Sequence, residues 1–184
     1  MRRTAAAEPD CAVIGVDAAV EALRETSRKL AAKPARGGLP NALCGRLALA
    51  DAPGELAGLA DRLTVLLPWG ELLAAVARPD FGGLERLRGL CREGAELRVV
   101  FGHGPQVDAA AVRDLALPEL SDTGLATLEA RYREAQFEVR ARWMPLEEVR
   151  ALPTTWAKRL AFSGHARTFV EVRALATPDR KSVV

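Results

Sequence analysis

The sequence predicts an α/β fold whose sheet is parallel for most of its width and antiparallel at one edge. Three observations predict it. Short apolar runs rich in valine and leucine alternate with longer stretches whose apolar residues recur at helical spacing. The breaks between them carry proline and glycine, which interrupt both kinds of element. The last two apolar runs are separated only by short helical stretches, which suits an antiparallel pair.

The elements follow in order. Cys11 to Val16 is a short run with Val and Ile that ends at Asp17, the first predicted strand. Ala18 to Lys33 places Val20, Leu23, Ser27 and Leu30 at helical spacing. Two prolines and two glycines in Pro34-Ala35-Arg36-Gly37-Gly38-Leu39-Pro40-Asn41 end that helix. A weak strand over Ala42 to Ala48 and a helical turn over Pro53 to Ala60 precede a clear strand, Leu63 to Leu67. Helical segments run from Trp69-Gly70 to about Cys91, broken near Pro79, and Glu96 to Phe101 is the next strand. Gly102-His103-Gly104-Pro105 reads as the loop at its end. Helices over Ala109 to Leu115 and Leu125 to Ala135 lead to a strand, Phe137 to Trp143. Short helices at Leu146 to Leu152 and Thr155 to Ala161 lead to a last strand, Thr168 to Leu175. With no internal repeat, residues 1–176 are expected to form a single domain, and 177–184 a tail.

A chain of 184 residues, 49% hydrophobic and 27% charged, has an ordinary globular composition and is long enough for a core. Cys11, Cys44 and Cys91 are far apart and lack the close spacing of a zinc site or redox pair, so they read as buried thiols in a reducing compartment. Met1-Arg2-Arg3-Thr4 is followed by only three alanines, and no apolar run approaches a membrane span. A cytoplasmic protein is expected, without membrane or metal partners and monomeric. His103 and His165 have no metal-ligand spacing, and no serine or cysteine nucleophile stands with a base.

Net charge is only +2, but the cations are unevenly placed. Thr26 to Ala50 carries Arg28, Lys29, Lys33, Arg36 and Arg46 with no acid, and Val149 to Val170 carries Arg150, Lys158, Arg159 and Arg167 likewise. Singly, such residues often just solvate helix faces; together the windows are candidate phosphate contacts. Two of the three tryptophans sit in Leu67-Pro68-Trp69-Gly70 and Leu152-Pro153-Thr154-Thr155-Trp156-Ala157-Lys158-Arg159-Leu160. A flat ring beside proline or before a basic pair suits a site that stacks a nucleobase while holding a phosphate backbone. Asp17, Pro68-Trp69 and Gly102-His103 fall at carboxyl ends of strands, where ligands of such sheets gather. Asp17 there suits either the ribose hydroxyls of a nucleoside cofactor or a helix N-cap, and Trp69 suits either a half-exposed site or the core.

Asp17, the linker Ala31 to Asn41, the Leu67-Pro68-Trp69-Gly70 turn and Thr154-Thr155-Trp156-Ala157-Lys158-Arg159-Leu160 together resemble the Kam-type 16S ribosomal RNA adenine-N1 methyltransferases that confer aminoglycoside resistance. The likeness runs from about Val13 to Leu175, with linker and tryptophan motifs in order and spacing. The resemblance implies a Rossmann-like class I methyltransferase sheet and the cofactor S-adenosyl-L-methionine (SAM). It implies action on the decoding-site adenine of 16S rRNA within the small ribosomal subunit. By that analogy Asp17 would hold the SAM ribose, Pro68 and Thr154 would help shape the pocket, and Trp69 and Trp156 would sandwich the flipped adenine. Arg28, Lys29, Lys33 and Arg36 would grip rRNA backbone, and Lys158, Arg159 and Arg167 would stabilise the distorted strand.

The chain departs from that pattern at its start. No strand with an acidic, glycine-rich end precedes Cys11, so the first strand expected of a class I methyltransferase is missing. In the usual sheet order it would lie between the strand ending at Asp17 and the one ending at Leu67, and its loss removes several buried side chains worth about 1.5–3 kcal/mol each. Near Ala50-Asp51-Ala52-Pro53 the family would place its acidic residue slightly earlier, and Gly45-Arg46 interrupts the preceding strand. Three readings follow: a shortened product of an active methyltransferase gene, which is favoured; a degenerate relative that binds RNA without holding SAM; and an unrelated nucleotide-binding α/β protein. The lack of GxGxxG ahead of Asp17 weakens the third.

Overall fold

The computed structural model describes residues 1–78, 82–104, 106–154, 156–157 and 167–178, packed as two compact units, Met1–Ala52 and Pro53–Val184. The first unit runs α1 (Arg2–Ala7), β1 (Val13–Asp17), α2 (Val20–Leu30), a 3-10 turn (Pro34–Arg36) and β2 (Ala42–Arg46). β1 and β2 pair in parallel from Val13↔Ala42 to Asp17↔Arg46. α2 stops at Leu30, short of Lys33, because the residue before Pro34 is driven out of helical geometry; Lys33 has φ −58° and ψ 144°. Helix α1 was not expected from the sequence. Asn41 secures it: its side-chain amide donates to the carbonyls of Ala5 (2.9 Å), Glu8 (3.1 Å) and Cys11 (3.0 Å).

The second unit contains β3 (Ala60–Leu66), α3 (Gly70–Ala77), α4 (Gly83–Leu90), β4 (Cys91–His103), α5 (Ala109–Asp114), α6 (Asp122–Glu134), β5 (Phe137–Trp143), α7 (Leu146–Ala151) and β6 (Thr168–Ala176). A 3-10 turn, Gly54–Leu56, stands where a helical turn over 53–60 was expected. The strand order is β3-β4-β6-β5. β3 pairs parallel with β4, and β6 is antiparallel to both β4 and β5, so β3, β4 and β5 share one direction. The predicted α/β class and the antiparallel pairing of the last two strands hold, and β6 inserts between β4 and β5. Among the described residues, β1 pairs only with β2 and β3 only with β4.

β4 differs most from expectation. It spans 13 residues and takes in Gly102 and His103, which pair with Phe169 and Thr168 instead of forming a loop. Gly102 is needed for that closeness: a Cβ there would meet the Phe169 ring and the Thr168 carbonyl oxygen, each at 2.5 Å. One sheet face buries Val99, Val170, Val172 and Tyr132, whose hydroxyl donates to the Val76 carbonyl at 3.2 Å. At the strand ends a second cluster gathers Leu67, Val100, Met144, Val149, Leu152, Ala157 and Phe169. The cysteines depart from the expectation of buried thiols: Cys91 is buried, but Cys44 is intermediate and Cys11 exposed.

Candidate functional site

Trp69 is aimed by backbone conformation. β3 ends at Leu66; Leu67 then takes a left-handed φ of 52°, with its N–H donating to the Val100 carbonyl (2.7 Å) and its side chain buried. Such a conformation costs a non-glycine residue about 1–2 kcal/mol, so surrounding packing must hold it. Half-buried Pro68 stiffens the next step, and Trp69 stands extended at the N-cap of α3, 52% exposed. Gly70, at φ 59°, supplies the second left-handed residue.

Trp156 and Ala157 lie in a helical turn near the other end of the second unit's chain. The Thr154 hydroxyl accepts from the Ala157 N–H at 2.9 Å and so caps that turn. Ala157 is fully buried, while Trp156 is 42% exposed. The third tryptophan, Trp143, is engaged differently: its indole N–H donates to Asp122 at 2.8 Å. Lys158 and Arg159, together with Thr155 and His165, lie outside the described residues.

The α7 helix that leads to this turn is tied to the sheet by charge. Glu171, fully buried on β6, accepts from Arg98 (2.8 Å) and Arg142 (2.8 Å), with Arg173 at 3.3 Å. Arg142 reaches on to Glu148 of α7 at 2.5 and 3.0 Å. Burial pushes the Glu171 carboxyl up, but hydrogen bonds from Arg142, Arg98 and Arg173 outweigh it and hold the carboxyl below the ordinary range. The signal for this hub is visible in the sequence only as an acid inside the apolar run of the last strand.

Arg167, expected on the RNA side, is joined by two hydrogen bonds to Asp108 (3.0 and 2.9 Å) and only 11% of its side chain is exposed. Asp108 also accepts from the Gly104 N–H at 2.9 Å. Its burial raises the carboxyl, yet the Arg167 hydrogen bond and the Gly104 N–H bring it below its usual value. Separated by 59 residues, this pair had no local signal. Beside it, His103 is 4% exposed with neither ring nitrogen partnered among the described residues, and burial lowers its pKa.

In the first unit Asp17 is the last residue of β1 and is exposed; one carboxylate oxygen accepts from the Ala19 N–H at 2.8 Å and the other carries no hydrogen bond among the described residues. The N-cap of α2 is Ala19, so Asp17 is not itself the cap. Its uncommitted oxygen fits a ribose hydroxyl, and this fit concerns only that end of a nucleoside cofactor. Arg28, Lys33 and Arg36 are exposed without an ion pair among the described residues, while Lys29 pairs with Glu25. Lys33 and Arg36 sit on a tight turn closed by Arg36 and Gly38 N–H groups donating to the Lys33 carbonyl (2.7 and 3.2 Å). A Cβ on Gly38 would sit 1.6 Å from the Ala32 oxygen, so the turn admits only glycine. Among the described residues no group of three His, Cys, Asp or Glu side chains is placed to hold a metal ion, and no helix is long and apolar enough to cross a membrane.

The family model for NpmA, 16S rRNA (adenine(1408)-N(1))-methyltransferase, matches residues 1–176. A 16S rRNA (adenine(1408)-N(1))-methyltransferase of Escherichia coli is 32% identical over 86% of this chain and 74% of its own length. One from Streptoalloteichus hindustanus is 36% identical over 86% and 73%. The crystal structure of the aminoglycoside resistance methyltransferase NpmB1 superposes with a TM-score of 0.79 at 39% identity, covering 96% of this chain and 81% of that one. A tryptophan-to-alanine mutant of the corresponding enzyme from Catenulisporales acidiphilia, solved with cosubstrate SAM, gives 0.81 at 33% identity, covering 99% and 82%.

Proposed function

The chain belongs to the 16S rRNA (adenine(1408)-N(1))-methyltransferase family, and from that premise we propose that it methylates N1 of the decoding-site adenine of 16S rRNA in the small ribosomal subunit, giving aminoglycoside resistance. The work would be done in the cytoplasm, by a monomer whose two units act as one methyltransferase domain. The observation that carries the reading is the pair of exposed indoles, Trp69 and Trp156, each held by a buried neighbour yet without a polar partner of its own among the described residues.

SAM, when bound, supplies an electrophilic methyl group. Asp17 would accept its ribose hydroxyls, and Pro68 and Thr154 would border it. Adenine N1 carries an in-plane lone pair, so holding the base in line suffices and no general base is required. Trp69 and Trp156 would clamp the flipped base, offsetting an unstacking cost of about a few kcal/mol. Arg28 and Lys29 at the end of α2, with Lys33 and Arg36 on the rigid turn, would contact backbone phosphates. Arg167, its guanidinium oriented by Asp108, would act with Lys158 and Arg159 on the distorted strand.

The edges of β1 and β3 that carry no strand among the described residues favour one competitor, a relative that binds RNA without transferring methyl. Incubation of the chain with radiolabelled SAM and small ribosomal subunits, followed by reverse transcription, separates the two. A methyl group on N1 blocks the Watson–Crick edge, so a stop at the target adenine is expected. Salt-sensitive subunit binding with neither SAM affinity nor a stop would select the competitor.

A further inference from the structure

Both tryptophans are exposed, but the residues that aim them are not. Leu67, two residues before Trp69, and Ala157, directly after Trp156, lie in one apolar cluster with Val100, Met144, Leu152 and Phe169. The strained left-handed backbone of Leu67 is maintained there by its buried side chain and by the hydrogen bond to Val100. Ala157, fully buried, presses the Trp156 turn onto the same cluster, and Thr154 closes the turn above it. Interiors of this kind are close-packed, so a change of one methyl group is transmitted to the neighbours.

We propose that Leu67 and Ala157 are positioning residues which, through this shared cluster, set the aperture between the Trp69 and Trp156 rings and thereby determine whether the flipped base is held productively. The inference rests on the stacking role given to the two indoles. A ring in van der Waals contact with both needs about 7 Å between the indole planes. That separation is set by the volume beneath the indoles, since neither indole has a hydrogen bond to fix it among the described residues. The small side chain at 157 then keeps the aperture closed to that distance: a larger one would lift Trp156 away from Trp69.

The test uses the full chain labelled with 5-fluorotryptophan. In Ala157→Val, the fluorine resonances of both Trp69 and Trp156 should shift while that of Trp143, tied to Asp122, stays in place; in Leu67→Val the Trp156 resonance should move as well. With small ribosomal subunits as substrate, kcat should fall by about 10-fold to 100-fold while KM for subunits and the Kd for SAM stay within about twofold. Partial restoration of kcat in the pair Ala157→Val with Leu67→Val, where the methylene lost at 67 offsets half of the carbon gained at 157, supports the shared aperture. A Trp69 resonance that ignores Ala157→Val, or an unchanged kcat in a cooperatively folded variant, overturns it. If Ala157→Val does not fold, Ala157→Gly, which cannot overfill the cluster, carries the same resonance test. Trp69→Ala and Trp156→Ala distinguish the underlying reading: if they leave kcat intact, stacking itself fails, whereas if they abolish it and Ala157 variants do not, only the aperture fails.

Discussion

Replacing Glu171 by Gln removes the charge at the centre of the second unit's sheet while keeping its shape. Two short contacts, from Arg98 and Arg142 at 2.8 Å, carry most of the interaction, since Arg173 is at 3.3 Å. A hydrogen bond to a charged group contributes about 1.5–3 kcal/mol when shielded. Arg98 and Arg142 are 38% and 42% exposed, so solvent screening lowers each contact to about 1 kcal/mol. Gln retains one acceptor but turns an amide toward the guanidinium groups, and a net loss of about 2 kcal/mol at pH 7 is expected. For a chain of this size that is about 4–8 °C in Tm, small enough to leave the protein folded. The pH dependence supplies the stricter check. The folded carboxyl lies below its unfolded value of about 4.3, so its contribution is complete above that pH and disappears as pH falls through the lowered folded pKa. Urea unfolding of both proteins from pH 7 to pH 3 should therefore show the gap between them closing toward acid. A gap that is absent at neutral pH, or that persists undiminished in acid, would refute the argument that the ionised carboxylate organises the three arginines.

Trp156→Ala is expected to abolish methyl transfer while leaving SAM affinity nearly intact, because in the proposed role Trp156 would touch only the flipped base; calorimetric titration showing a large loss of SAM binding would contradict that role. Charge reversal at Lys33 and Arg36 together should weaken subunit binding and flatten the plot of log affinity against log salt by about one unit for each phosphate no longer neutralised, and an unaltered slope would count against phosphate binding there. Asp108→Ala leaves Arg167 nearly buried without its carboxylate and should lower stability by about 3 kcal/mol, measured as a drop in urea midpoint at constant m. Gly38→Ala forces a Cβ onto the Ala32 carbonyl and should displace the turn that presents Lys33 and Arg36, so subunit binding and Tm should fall together.

Much of the molecule was determined by sequence because it depends on local signals. Period and punctuation placed β5 at Phe137–Trp143 and brought α7 and β6 within one residue of their ends. The two tryptophan motifs and the Lys33 to Gly38 turn were legible for the same reason, since proline, glycine and a flat ring carry their chemistry with them. Tertiary structure decided what depends on distant partners. β4 runs through Gly102 and His103 because β6 lies against them, overriding the loop preference of a glycine-bearing stretch. Arg167 read as an open cation and became half of an ion pair with Asp108, 59 residues away. Glu171 gained its arginines only when β4, β5 and β6 came side by side. Only strand pairing shows that β1 and β3 each keep one edge without a strand among the described residues. Backbone conformation and side-chain chemistry are local properties of a chain, whereas burial, pairing and the cluster beneath the two indoles exist only once the chain has folded.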